Sequence, residues 1–309
     1  MIANFSQIFD GIYNQNKEIL EKSKNIYLDY CKGDRSLKIK KGLSIATMII
    51  TLPLFPISLL WDIPLFIHLN NSEVKLLKRD DGEYVKVISN NLIKPLLNKI
   101  FSATNYDMLN GIERTHYNIA SNNEEYDMER FSSHNLIEIP VIENKYNLKL
   151  SNVFTQKEET YYDVNDNMKS RVIDVFSGIV GMIQLPFNIN SKLVVTEESI
   201  KENLVELDMK EFETKFNVSA TNEVIAYQIL TADVMQKIVD MKNDIYKTKF
   251  DIVINNDTLY IRVHNKTAFN FNIEKDIDKK AYEESVETIE LVKNMSEDIL
   301  NIISESNIG

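Results

Sequence analysis

The amino-acid sequence predicts an α+β protein: an N-terminal helix, a short apolar membrane segment, then a mixed body in which an antiparallel sheet is flanked by helices. Three observations predict it. Residues 42–69, GLSIATMIITLPLFPISLLWDIPLFIHL, contain no Lys or Arg and a single acid, Asp62. Beyond residue 145 the apolar pattern turns to runs that suit strands, grouped together with helices around them rather than interleaved one for one. The last long stretch, Lys279–Ser304, places Tyr282, Val286, Ile289, Val292, Met295, Ile299 and Ile302 at helical spacing, with many Glu residues on the other side.

These observations divide the chain into an amphipathic helical region over 1–41, a membrane-embedded segment over 42–70 and an acidic α+β body over 71–309. In the first region Phe5, Ile8, Phe9, Ile12, Ile19 and Ile26 keep part of a helical stripe, with Gly11 as a weak point. The apolar segment is the expected bilayer contact, through Leu43, Ile45, Ile49, Ile50, Leu52, Leu59, Leu60, Trp61 and Phe66. As one helix it would run roughly 42 Å, more than the ~30 Å hydrocarbon core. Pro53 and Pro56 favour a break near its middle, because each removes a backbone donor and clashes with the preceding turn. Single span, hairpin and a buried core pair all remain open. Lys32, Arg35, Lys38, Lys40 and Lys41 precede the segment, and Lys75, Lys78 and Arg79 follow it. Five against three favours an N-terminus inside for a single span, and basic residues on both sides equally suit a hairpin with both ends in the cytoplasm; Lys75, Lys78 and Arg79 make a cytoplasmic body the expectation.

In the body, Tyr84–Phe101 has helical spacing, and Pro95 predicts a kink or a break. Residues 102–125 read as a loop and 126–136 as a short element anchored by Met128, Phe131 and Leu136. Tyr146–Leu150, Arg171–Leu185 and Ser191–Val195 read as strands, with Gly178 and Gly181 marking a bulge or close packing. Between the first two, Gln156–Lys169 is a polar stretch. Asp208–Glu211 resembles a capping box for a short helix, and Thr231 an N-cap for a helix to about Tyr246. Lys249–Ile254 and Thr258–His264 form the best hairpin, with Phe250, Ile252 and Ile254 opposing Leu259, Ile261 and Val263.

The net charge of −11 is uneven. Residues 1–71 carry eight Lys/Arg and six Asp/Glu, so the acidity lies in the body. A body that acidic argues against nucleic acid as the main partner. The single cysteine, Cys31, leaves no internal disulfide.

Phe176-Ser-Gly178 with Ile183-Gln-Leu-Pro186, then Glu211–Phe216, then Ala226–Thr231, then the hairpin ending near Phe269, follow a familiar order. This stretch resembles an uncharacterised bacterial membrane family, domain of unknown function 3137. The resemblance implies membrane helices near the N-terminus followed by a cytoplasmic α+β body, and it implies no activity.

Motifs for chemistry are few. His68, His116, His134 and His264 show no metal-ligand spacing, and no P-loop or H-E-x-x-H is present. No catalytic, cofactor-binding or metal residue is assigned. His116 beside Glu113 and Arg114, and His134 beside Ser132 and Ser133, would serve as acid–base groups only if the fold joined them. Asp163, Asp166 and Asp174 lack calcium-loop spacing. On the hairpin, Tyr260, Arg262 and His264 share the face opposite Val263. That face is expected to be solvated or to meet a partner. The leading expectation is a membrane-anchored, cytosol-facing protein that binds or recruits another protein. The alternative is a membrane-associated hydrolase or transferase whose site is assembled from distant polar residues, which a deep pocket with convergent ionisable groups would reveal.

Overall fold

The structure is a computed structural model that describes residues 4–51, 82–121, 130–162, 167–200, 202–245, 248–269 and 277–305, with the side chains of 30–51, 82–83, 244–245 and 305 not described. The chain divides into two compact units. One comprises Phe9–Pro95 and Ile273–Asp276; the other comprises Met1–Ile8, Leu96–Asn272 and Ile277–Gly309.

Helix α1 runs from Phe5 to Thr51 without interruption, through Gly11 and into the apolar stretch. The boundary expected at residue 42 falls inside this helix, and most of the segment expected over 42–70 lies outside the described residues. Leu43, Ile45, Ile49 and Ile50 lie in α1, whereas Leu52, Pro53, Pro56, Leu59, Leu60, Trp61 and Phe66 fall outside the described residues. Among the described residues no helix is long and apolar enough to cross a membrane. Helix α2 (Gly82–Ile88) leads into a π-helical turn at Ser89–Ile93, where the Lys94 N–H donates to Ser89 O, and then α3 (Lys94–Phe101) begins. The widened turn sits immediately before Pro95, whose ring would clash with a regular preceding turn. Tyr27 of α1 stacks on Tyr84 of α2, ring centres 5.3 Å apart.

The larger unit is built on one eight-stranded sheet. Strand β1 (Asn105–Asp107) and helix α4 (Arg114–Ala120) occupy the stretch expected to be a loop. Strands β2 (Arg130–Val141), β3 (Tyr146–Tyr162), β4 (Met168–Gln184) and β5 (Lys192–Thr196) follow, then α5 (Lys210–Glu213), β6 (Asn217–Ala220), α6 (Glu223–Ile229) and α7 (Ala232–Asp240). Strands β7 (Phe250–Asn255) and β8 (Thr258–His264) and the helix α8 (Lys279–Glu305) complete it. The strand order is β1-β2-β3-β4-β8-β7-β5-β6, with every neighbouring pair antiparallel.

Several local expectations hold. Thr231 caps α7 through its hydroxyl, which accepts from Val234 N–H at 3.4 Å. The hairpin register pairs Phe250 with Val263, Ile252 with Ile261 and Ile254 with Leu259, around a tight turn in which Asn256 takes φ 56°. Asn tolerates that left-handed conformation because its side chain can bond locally. Gly178 is a close-packing position: a Cβ there would lie 2.2 Å from Val263 O. The capping box at Asp208 does not form. Met209 is the N-cap of α5 without a side-chain bond, and Glu213 instead accepts from Leu207 N–H at 2.8 Å.

The apolar face of the hairpin lies under α7 and α8. Val195, Ile252 and Ile254 of the sheet meet Val234 and Ile238 of α7 and Ile299 of α8 around a small cavity of about 20 Å³. The other face is also covered. There Val153, Phe176, Val180, Val194, Val253 and Tyr260 pack with Ile112 and with Tyr117 and Ala120 of α4.

Candidate functional site

The polar side chains of the hairpin converge on Asp251. Arg262 stands directly opposite Asp251 in the β7–β8 ladder, and His264 lies two residues further along β8 on the same face. From the neighbouring strand β5, Thr196 Oγ1 donates to Asp251 Oδ1 at 2.6 Å. His264 Nε2 is 2.6 Å from Asp251 Oδ2, and Arg262 Nε is 3.3 Å from the same oxygen. The guanidinium lies over the Phe176 ring at 4.9 Å, and His264 meets that ring edge-on at 5.0 Å.

Helix α4 closes this cluster from above. Arg262 Nη1 donates to Ala120 O at 3.5 Å, satisfying a carbonyl at the helix end that lacks an intrahelical partner. His116 Nδ1 and Tyr260 Oη are 3.0 Å apart, a second pin between helix and sheet. Tyr260, Arg262 and His264 are accordingly only 2%, 2% and 8% exposed. The face expected to be solvated or to meet a partner is interior. The correction has a physical cause: buried polar groups are stable only when paired, and Asp251, Thr196 and α4 supply the partners.

Burial pushes the Asp251 carboxyl up, but the His264 hydrogen bond, the Arg262 charge, the His264 charge and the Thr196 hydroxyl together outweigh it and hold the group below the ordinary carboxylate range. A group depressed in the folded state stabilises the protein above its unfolded pKa, and that stability is lost as pH falls through the folded value. Asp251→Asn is therefore expected to lower the unfolding midpoint at neutral pH. The gap to the parent protein should narrow below about pH 4, the unperturbed carboxylate value. Paired thermal melts across pH check this; a gap that does not change with pH would show that charge is not what Asp251 contributes.

The other candidate residues are dispersed. His134 stacks on Phe154 with ring centres 5.4 Å apart, and burial lowers its pKa. It shares no contact with His116, so the structure does not join the two into an acid–base pair. His68, Asp163 and Asp166 fall outside the described residues, and Asp174 accepts from Gln156 Nε2 at 2.8 Å. Among the described residues no group of three His, Cys, Asp or Glu side chains could hold a metal ion.

Two features escaped the sequence reading. One is a polar cleft of about 460 Å³ between Asn265–Thr267 and α8, with Glu284, Ser285, Glu287 and Thr288 on the helix side. Ser285 and Thr288 donate to Ala281 O and Glu284 O of their own helix, so neither hydroxyl is poised as a nucleophile. The other is a projecting ribbon. Among the described residues the β2–β3 pairing reaches Gln156 and the β4–β8 pairing Gly178, whereas β3 and β4 stay paired out to Tyr162 and Met168. The expected polar loop is thus a two-stranded extension that leaves Tyr162, Met168, Val172 and Tyr161 exposed at 70%, 69%, 45% and 41%. Val172 already lay in the expected strand Arg171–Leu185; the missed signal was in Tyr161 and Tyr162, which favour strands but follow the charged run Lys157–Glu159.

Residues 174–301 match the family model described as Protein of unknown function (DUF3137). The match starts in β4 and takes in β5 to β8 and most of α8, so it contains Phe176, Thr196, Asp251, Arg262 and His264. Helix α4 and most of the ribbon precede it. No curated protein matches the chain. Among solved structures, the crystal structure of the mycobacterial trehalose monomycolate transport factor A, TtfA, has a TM-score of 0.32 and 8% identity. That likeness covers 64% of this chain and 88% of that one, and is too slight to say anything of fold or function.

Proposed function

We propose that this is a membrane-anchored protein whose body faces the cytoplasm and which acts by binding another protein through the β3–β4 ribbon. The observation that carries the reading is the ribbon itself. Among the described residues it extends past the pairing of both neighbouring strands, with Tyr162, Met168 and Val172 exposed, while the hairpin residues that could have met a partner are buried. A two-stranded ribbon gains little stability alone in water, and exposed apolar side chains gathered on one element mark a contact surface. The anchor rests on residues 42–69, whose first ten residues continue α1 to Thr51 without a charged side chain. Lys75, Lys78 and Arg79 beyond the apolar stretch support the cytoplasmic side.

Full-length protein is expected to sediment with membranes and to resist alkaline carbonate extraction. A reporter active only in the cytoplasm, fused after Gly309, is expected to work. Protein that stays in the high-speed supernatant would sink the anchor, and activity only from an externally active reporter would reverse the orientation.

A further inference from the structure

The corner between β1 and α4 carries a reactive pair of residues unrelated to the ribbon. We infer that Asn110 is a site of spontaneous deamidation, and that its conversion to aspartate opens the clasp that holds this corner against β2. Asn110-Gly111 is the one Asn-Gly pair in the sequence. Glycine makes a preceding asparagine labile because, lacking a Cβ, it leaves its amide nitrogen unshielded and its backbone free to turn toward the neighbouring carboxamide.

The local structure favours the reaction at this pair. Asn110 is exposed. Around it the backbone N–H groups are engaged: Leu109 and Asn110 donate to Asp107 Oδ1 at 2.9 and 3.1 Å, and Ile112 donates to Ser151 Oγ at 3.0 Å. Among the described residues the Gly111 N–H has no acceptor. Gly111 also cannot be exchanged for a residue that shields more, because a Cβ there would collide with Ser133 Oγ and His134 N. Packing thus requires at 111 the residue that leaves Asn110 most open to attack.

The step needs only water. Gly111 N gives up its proton and bonds to Asn110 Cγ; the Cγ–Nδ2 bond breaks, and Nδ2 leaves with that proton as ammonia. A cyclic imide remains. Water opens it at Cγ to give aspartate, or at the Asn110 carbonyl carbon to give isoaspartate, with an extra methylene in the backbone.

Both products strike the clasp itself. Asn110 Nδ2 donates to Asp107 Oδ2 at 2.7 Å. A carboxylate at 110 would meet the Asp107 carboxylate with no proton to share, and like charges in one site repel. The added methylene of isoaspartate would push Gly111 toward Ser133, where there is no slack. Met108 O and Asn110 O accept from Asn135 N–H and Leu136 N–H at 3.2 and 2.9 Å, beside the register shift of β2. Those bonds tie the corner to the sheet, and the chain then enters α4, the cover of the Asp251 cluster. Conversion therefore loosens the approach to that helix as the protein ages.

The test holds folded full-length protein at physiological temperature and mildly alkaline pH. Peptides are mapped by mass spectrometry, and isoaspartyl methyltransferase labelling detects isoaspartate. Asn110 is expected to convert before any other asparagine and to yield both aspartate and isoaspartate. Asn110→Asp is expected to lower the unfolding midpoint and to speed amide hydrogen exchange across 108–112. Combining it with Asp107→Asn should recover both, because amide and carboxylate then trade places. Asn110 intact in folded protein, while denatured protein converts, overturns the site; so does aspartate without isoaspartate. An Asn110→Asp variant as stable and as protected as the parent, or a double variant no better than the single, overturns the clasp.

Discussion

Replacing Arg262 by Ala is expected to cost about 3–5 kcal/mol of stability, the range for removing one member of a buried ion pair. The loss has three sources. Asp251 keeps its charge in an interior site with its guanidinium partner gone. Ala120 O loses a donor at the end of α4. The faces of Phe176 and Tyr117 lose the cation that lies over them. Lys at the same position should rescue little, because an ammonium lacks the planar fork that bonds and stacks at once. Thermal unfolding of full-length protein, followed by near-UV circular dichroism, measures both variants. A change of Arg262→Ala within about 0.5 kcal/mol, the usual size for solvated positions, would mean that α4 does not cover this face.

On the opposite side of the same hairpin, Ile252→Ala is expected to cost about 2–5 kcal/mol. Ile252 already borders the small cavity shared with Val234, Ile238 and Ile299, and its truncation would enlarge a void among groups that cannot easily close it. Taken with Arg262→Ala, the result would place comparable losses on two faces of one hairpin. A hairpin buried on one face only would lose stability at Ile252 and not at Arg262. Each loss is a large share of a typical stability of roughly 5–15 kcal/mol. Unfolding of the Ile252 variant at the parent midpoint would show that α7 and α8 do not press on this face.

Much of the architecture was legible because local chemistry and tertiary role agree. The hairpin register follows from alternation alone: Phe250, Ile252 and Ile254 match Val263, Ile261 and Leu259 in the only phase that keeps them on one side. Thr231 caps a helix wherever that helix docks, since the cap is a bond between near neighbours in sequence. Helix α8 shows its buried stripe over many turns. Its packing partner did not need to be known.

What only the tertiary structure decided concerns polar residues and short elements. Seven residues, RTHYNIA, are too few to display a helical period, so α4 was invisible as a cover. Without it, Tyr260, Arg262 and His264 look like a wet face, because their burial depends on Asp251 and Thr196 from neighbouring strands and on Ala120 from more than a hundred residues away. The ribbon was hidden for the converse reason. A strand with no fully buried face needs no apolar alternation, so Lys157, Glu158 and Glu159 read as loop although β4 holds them extended. Apolar periodicity reports what a segment buries by itself, whereas partner-dependent burial and partner-free strands are settled only where the chain meets itself in space.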